Sequence, residues 1–203
     1  MHPKPEVVVF DLGKVLVDFD YSVVARRLRA RSPHSLAEVA VRLDQSPLLA
    51  EYETGRISTA EFFTHVQQRT GYQGTLDDFA VEFGDIFVPI DGMIAWHGRL
   101  RARGVPTFIF SNTNELAVRH IRAAFPFFRG FDAYVYSHEV GAMKPEAKIY
   151  EVVEAVTGRR GAAILYIDDR PENVAAGAAR GWRVIQHASP AATIRSAAEQ
   201  GIH

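Results

Sequence analysis

The sequence has 203 residues, of which 47% are hydrophobic and 23% charged, which is ordinary for one α/β core with or without an inserted subdomain. The 23 Lys and Arg residues nearly balance 24 Asp and Glu, which gives no support to a nucleic-acid or membrane partner. The chain has no cysteine, which excludes a disulfide scaffold, a zinc–thiolate site and a cysteine nucleophile. Because the sequence shows neither a signal-peptide pattern nor an apolar run of roughly 18 residues, a cytoplasmic location is expected.

The first predicted element is a strand at Val7–Phe10, a continuous apolar run typical of a strand covered on both faces. The next such run begins only at residue 107, too far away for one crossover helix. Apolar residues at helical spacing between them predict a helical cap over residues 18–91, inserted into a core formed by residues 1–17 and 92–203. The predicted cap helices cover residues 21–31, 35–43, 58–69 and 76–87.

The remaining elements alternate between strands and helices. This alternation predicts βαβ units and a doubly wound, Rossmann-like α/β fold with a parallel sheet. The predicted strands are residues 107–110, Ala133–Tyr136, residues 164–167 and Arg183–Gln186, and the predicted helices are residues 115–125, 147–156 and 172–179. Asn112 or Thr113 is the expected N-cap of the first of these helices.

Polar residues follow three of the predicted strands. Asp11 follows the first, Ser111 and Asn112 follow the second, and a pair of aspartates follows the fourth. Lys144 stands just before the helix that precedes the fourth strand. Because ligands of doubly wound sheets bind beyond the carboxyl ends of the strands, these side chains are expected to converge. The acidic pair is Asp168 and Asp169.

This group of side chains suits phosphoryl transfer to a carboxylate. Asp11 and a phosphate repel one another, so attack on phosphorus requires positive charge nearby. Mg²⁺ accepts oxygen ligands, which Asp11 with Asp168 or Asp169 would supply. Lys144 would add a second cation, and Asp11 would form an aspartyl-phosphate.

The phosphate oxygens would accept hydrogen bonds from Ser111 Oγ and the Asn112 amide. Each of these residues taken alone has an ordinary structural explanation, such as a helix cap, a turn or a surface lysine. Their order along the chain and their placement at three strand ends favour the functional interpretation.

These residues resemble the four motifs of the haloacid dehalogenase-like (HAD) hydrolases. The matching segments are residues 8–13, residues 110–113, Lys144 with Pro145, and Asp168 with Asp169, so that the likeness spans the chain. The resemblance implies the sheet order 3-2-1-4-5 and a helical cap of the superfamily's first subclass. It also implies a bound Mg²⁺, held by Asp11, the Gly13 backbone carbonyl and Asp169 or Asp168, and it favours Asp169 as the direct ligand.

Gly13 departs from the pattern of most phosphatases in this superfamily, which carry a general acid/base aspartate at that position. A branch with glycine there, the bacterial α-D-glucose-1-phosphate phosphatases, is similar over residues 10–18, 53–58, 111–114 and 143–150. This narrower likeness implies a phosphatase acting on a small sugar phosphate. A sugar 1-phosphate has a fairly good leaving group, which would lessen the need for a strong acid.

Two alternatives remain open from the sequence. A 2-haloacid dehalogenase-type C–halogen hydrolase would also lack the second aspartate but would not need Mg²⁺. A HAD-fold binding protein with little turnover is permitted by Gly13.

Tyr52 and Arg56 are candidate cap contacts to substrate, although packing and an exposed turn are the simpler explanations for them. The expected partner is a small phosphorylated metabolite, without nucleic acid or membrane, bound by a monomer or a homodimer.

Overall fold

The computed structural model describes residues 4–32 and 46–203, and a parallel sheet of five strands forms its centre. Two further strands, β2 (Val17–Phe19) and β3 (Phe87–Pro89), pair antiparallel outside it. The sheet strands are β1 (Val7–Phe10), β4 (Thr107–Ser111), β5 (Ala133–Tyr136), β6 (Ile164–Asp168) and β7 (Arg183–Gln186). Their order is β5-β4-β1-β6-β7, so the five predicted strands and the order 3-2-1-4-5 are confirmed.

Helices connect the strands and form most of the described part of the segment between β2 and β3. The helices are α1 (Tyr21–Ala30), α2 (Pro47–Glu53), α3 (Thr59–Thr70), α4 (Leu76–Gly84), α5 (Asp91–Ala102), α6 (Glu115–Ala124), α7 (Ser137–Val140), α8 (Ala147–Thr157), α9 (Pro171–Ala179) and α10 (Pro190–Glu199). No helix within the described ranges combines the length and the apolarity needed to span a bilayer.

Strand β1 is buried on both faces, which explains its unbroken apolar sequence. Val8 and Phe10 face one apolar cluster, built with α5, α6 and α10, where Trp96 packs edge-on against Phe10. Val7 and Val9 face a second cluster on the opposite side, built with α8 and α9. Successive side chains of a strand point to opposite faces, so a strand with helices on both sides needs apolar residues throughout.

The segment between β2 and β3 has an apolar core of its own. Helices α1 to α4 contribute to it, with Tyr52, Phe62, Phe79 and Phe83 among its fully buried side chains. The predicted helix at residues 35–43 lies outside the described residues. The cap boundaries predicted from the sequence fall within β2 and within the first turn of α5.

Two predicted element ends are wrong. The helix predicted to reach Phe87 ends at Gly84, because Phe87 pairs with Phe19 as the first residue of β3. The N-cap of α6 is Asn114, whose Oδ1 accepts from the Ala117 N–H at 3.0 Å, and not Asn112 or Thr113.

Candidate active site

The carboxyl edge of the sheet gathers the polar residues singled out in the sequence. Asp11 directly follows β1, Ser111 is the last residue of β4, and Asp168 is the last residue of β6. Asp169 follows at once, and Lys144 lies in the loop between α7 and α8. β1 lies between β4 and β6, so Asp11 stands at the centre of the group.

Lys144 joins two of these carboxylates. Its Nζ lies 2.9 Å from Asp11 Oδ1 and 2.6 Å from Asp168 Oδ2, and it also donates to the Phe110 carbonyl at 3.0 Å. These contacts use all three donors of the ammonium group. Burial opposes the charged form, but Asp11 and Asp168 together raise the pKa of Lys144 above its usual value. Lys144 therefore stays protonated and holds the two carboxylates together.

Asp168 is saturated by donors from the protein. Its Oδ1 accepts from the Arg170 N–H at 2.8 Å and from Asn173 Nδ2 at 3.0 Å, and its Oδ2 accepts from Lys144 and the Tyr166 hydroxyl. Burial alone would raise the pKa of Asp168, but Lys144 and these hydrogen bonds lower it below its usual value. Asp168 is thus an ionised residue that is fully occupied in positioning Lys144.

Asp11 and Asp169 carry less compensated charge. Burial and the neighbouring carboxylates raise the pKa of Asp11 to about 8, although Lys144 acts in the opposite direction. Burial and the charge of Asp168 raise the pKa of Asp169 as well. Asp11, Asp168 and Asp169 each offer an oxygen within 4.8 Å of the others, so three carboxylates face one ammonium group. A cation bound among them would offset the excess negative charge.

The side chain of Asn112 binds the backbone of Lys144. Its Oδ1 accepts from the Lys144 N–H at 2.8 Å and its Nδ2 donates to the Lys144 carbonyl at 3.0 Å. The side-chain amide therefore fixes the backbone of Lys144, which leaves only the main-chain N–H of Asn112 for phosphate. Ser111 Oγ makes one long hydrogen bond, 3.3 Å to the Asn112 carbonyl, and remains free to reorient toward a ligand.

The space beside Gly13 is filled by an aromatic ring. A Cβ at this position would lie 2.7 Å from Cε1 of Phe19. The next residue, Lys14, has a φ of 59°, in the left-handed region that residues other than glycine seldom adopt. A side chain at position 13 is therefore excluded unless Phe19 moves.

A cavity of about 410 Å³ opens above these groups. This volume falls within the range of small-molecule sites. Its floor is formed by Asp11, Gly13, Ser111, Asn112, Lys144 and Asp169. Its upper wall includes Phe19, Tyr21, Leu49, Glu53 and Phe87. These residues come from the antiparallel ribbon of β2 and β3 and from helices between the two strands.

The two predicted cap contacts lie elsewhere. Tyr52 is 2% exposed, stacks on Phe62 with ring centroids 4.4 Å apart, and accepts from the Leu116 N–H at 3.2 Å through its hydroxyl. The prediction that Tyr52 contacts substrate is wrong, because its ring packs on Phe62 and its hydroxyl is hydrogen-bonded to the backbone of α6. Arg56 is exposed and is not among the residues that line the cavity.

Three site residues went unrecognised as such in the sequence. Asn173 and Tyr166 bind Asp168, and their spacing from it, five residues after and two before, was an available signal. Glu53 lines the cavity from α2, far from Asp11 in the sequence. Only the contacts of α2 with α6 and α7 bring Glu53 near the other groups.

This arrangement places the chain among α/β proteins with a ligand site at the carboxyl edge of a doubly wound sheet. The sequence matches the haloacid dehalogenase-like hydrolases over residues 5–181. The chain therefore belongs to the haloacid dehalogenase-like hydrolase family.

Known proteins with similar sequences or structures agree with this assignment. The chain is 24% identical over 190 residues to a D-ribitol-5-phosphate phosphatase of Bacteroides thetaiotaomicron, with 88% of this chain and 90% of that protein covered. A HAD family enzyme from the same organism, solved with magnesium and inorganic phosphate, matches with a TM-score of 0.80 at 21% identity over 91% of this chain and 95% of that one. A predicted HAD-like family hydrolase of Porphyromonas gingivalis has a TM-score of 0.80 at 25% identity, over 96% and 98% of the two chains.

Proposed function

We propose that the protein is a Mg²⁺-dependent phosphatase that hydrolyses a small sugar or polyol phosphate through an aspartyl-phosphate on Asp11. One observation carries the proposal: Lys144 bridges Asp11 and Asp168 at the floor of a cavity, beside a third carboxylate. The similarity to a D-ribitol-5-phosphate phosphatase supports a polyhydroxylated substrate, and so does the resemblance to sugar-1-phosphate phosphatases.

The donor set fits Mg²⁺. This ion takes oxygen ligands at about 2.0–2.1 Å and usually retains several waters, so two carboxylates and a carbonyl are sufficient protein ligands. Asp11, Gly13 and Asp169 line the cavity, whereas Asp168 is occupied by protein donors. We assign the direct ligands to Asp11, Asp169 and Gly13. When bound, the ion would neutralise charge on the phosphoryl group and on Asp11.

The protein groups would then act in sequence. Lys144 holds one oxygen of Asp11, and the second oxygen attacks phosphorus while the ester P–O bond breaks and the alcohol leaves. Ser111 Oγ and the main-chain N–H of Asn112 donate to the phosphoryl oxygens, where negative charge accumulates. Water attacks the aspartyl-phosphate in a second step and releases inorganic phosphate. Splitting the reaction in two replaces one difficult step with two easier ones.

Residues 18–91 would form the cap over this site. Aromatic residues of the cap and its hinge, Phe19, Tyr21 and Phe87, form much of the upper wall, where the organic part of the substrate would lie. The β2–β3 ribbon connects the cap to the core and is the natural hinge. Closure of the cap over a bound substrate would exclude water from the phosphoryl group.

A panel of phosphate esters, assayed for phosphate release with and without Mg²⁺, tests the proposal. Release should depend on the metal and should be abolished by Asp11→Asn but not by Glu51→Gln, which changes an exposed carboxyl. Halide release from 2-haloacids without metal would instead assign the protein to C–halogen hydrolysis. Binding of esters without turnover would assign it a binding role.

A further inference from the structure

Hydrolysis of a phosphate ester through Asp11 requires two proton transfers. The leaving oxygen must gain a proton when its bond to phosphorus breaks, unless it is a good leaving group. The water that attacks the aspartyl-phosphate must lose one. Gly13 has no side chain, and the Phe19 ring occupies the space where one would lie. The proton donor and acceptor must therefore come from another part of the cavity.

Three carboxyl groups line the described cavity, and two of them, Asp11 and Asp169, belong to the acidic cluster. The third is Glu53, which stands outside the cluster at the end of α2. Two cations of the cavity wall are already paired with other carboxylates: Lys14 with Asp18, and Arg170 with Glu172 at 2.6 Å. Glu53 is thus the carboxyl best placed to exchange protons with the substrate side of the cavity.

The cap holds Glu53 firmly against the core. The neighbouring Tyr52 hydroxyl accepts from the Leu116 N–H and contacts Thr59 Oγ1 at 2.8 Å, and Thr59 in turn donates to Glu115. Two residues after Glu53, Gly55 has a φ of +67°, and a Cβ there would lie 2.2 Å from the His138 carbonyl. The α2–α3 turn is therefore in direct contact with the core on both sides of Glu53.

The surroundings of Glu53 suit proton exchange near neutral pH. Burial raises its pKa to about 7, while the Asn114 side chain and the charge of Arg170 lower it. Asn114 Nδ2 is buried and has no hydrogen-bond partner within the described residues, which leaves it available to the Glu53 carboxylate. Along the cavity, the other charged groups are Asp11, Lys14, Lys144, Asp169 and Arg170. Two helices pack against α2: α3, which carries Glu61, His65 and Arg69, and α7, which carries His138 and Glu139. Glu115 begins α6, whose Leu116 N–H meets the Tyr52 hydroxyl of α2.

We propose that Glu53 is the general acid and base of this site, supplying from the cap the proton transfers that Gly13 cannot supply from the core. In the first step, Asp11 bonds to phosphorus, the ester P–O bond breaks, and the Glu53 proton passes to the leaving oxygen to give the alcohol. In the second, water bonds to phosphorus, the P–O bond to Asp11 breaks, and Glu53 takes the water proton. The sum is ester plus water to alcohol plus phosphate. The inference rests on the proposed phosphatase function.

The test compares Glu53→Gln with Glu51→Gln, an exposed change on the same helix, using p-nitrophenyl phosphate and ribitol 5-phosphate with Mg²⁺. Nitrophenolate needs no proton to leave, so Glu53→Gln should release one equivalent in a burst and then turn over slowly, with phosphoenzyme accumulating. With ribitol 5-phosphate the first step is slowed too, so turnover should fall ~10²–10⁴-fold without a burst. Glu53→Asp, which keeps the carboxyl, should recover part of the activity on both esters.

The pH profile gives a second readout. Wild-type turnover of ribitol 5-phosphate should decline as pH rises above about 7, where Glu53 loses its proton, and Glu53→Gln should lack this limb. Equal activities of Glu53→Gln and Glu51→Gln would overturn the inference. An equal loss on both esters without phosphoenzyme would also overturn it, because it would indicate a structural role. An inactive wild type would overturn the proposed function itself.

Discussion

Replacing Lys144 with methionine tests how the site holds its charges. Methionine has nearly the length of lysine but no charge and no donors, so Lys144→Met removes the contacts to Asp11, Asp168 and the Phe110 carbonyl. Asp168 is fully buried and keeps its hydrogen bonds to Asn173, Tyr166 and the Arg170 N–H. It would remain charged but without a cation, next to Asp11.

Removing one partner of a buried ion pair typically costs about 3–5 kcal/mol. Because Asp168 keeps its other donors, the lower end applies, and we expect the free energy of unfolding to fall by about 3 kcal/mol. For a protein of this size that corresponds to a decrease in Tm of about 6–12 °C. The loss of a cation beside the attacking carboxylate should also lower kcat by roughly a hundredfold or more.

Denaturant unfolding and ester hydrolysis measure these two effects. Lys148→Met is the matched control, because Lys148 is exposed and lies four residues further along. The double variant Lys144→Met/Asp168→Asn should recover part of the stability, since it removes the uncompensated charge, but none of the activity. If Lys144→Met were as stable and as active as Lys148→Met, the charge argument would be refuted.

Three further predictions concern Gly13, Asn112 and His97. Gly13→Asp should lose about 1–3 kcal/mol of stability in thermal unfolding, because the new side chain forces the Phe19 ring aside. An added carboxyl at position 13 should raise kcat only when Phe19 is also shortened, as in Gly13→Asp/Phe19→Leu. Asn112→Ala should lower kcat much more than it changes KM, because it releases the Lys144 backbone; a change confined to KM would contradict this role. Burial lowers the pKa of His97 to about 4, so the unfolded state binds a proton that the folded state does not. Stability should therefore be lost as pH falls from about 6.5 to 4, by up to about 3 kcal/mol, and the fall should be smaller in His97→Gln when unfolding is followed across pH.

The sheet was predictable because its strands obey a local rule. A strand with helices on both faces needs apolar residues at every position, so Val7–Phe10 stands out without any tertiary information. Asp11, Ser111 and Asp168 were predictable for a similar reason, since the carboxyl ends of parallel strands lie at one edge of the sheet. The order of the strands came from the resemblance to known hydrolases and not from periodicity.

The remaining features depend on contacts between distant segments. The side chain of Asn112 holds the Lys144 backbone, 32 residues away, and nothing in the local sequence indicates this contact. Tyr52 was considered for substrate binding, but its hydroxyl accepts from the N-terminus of α6, 64 residues away. Phe87 continues a helical pattern, yet its pairing with Phe19 makes it a strand residue. Such choices between equivalent local patterns are decided by tertiary packing, which outweighs local propensity.

The most direct measurement of the central claim is to trap the intermediate on Asp11. Rapid acid quench of the enzyme with Mg²⁺ and an ester in H₂¹⁸O, followed by peptide mass mapping, should find a phosphoryl group on the peptide that contains Asp11. The ¹⁸O label should appear in the released phosphate and not in the Asp11 carboxylate. Phosphate release by an enzyme that never becomes phosphorylated there would contradict attack by Asp11 on phosphorus, and label in that carboxylate would contradict attack by water on phosphorus in the second step.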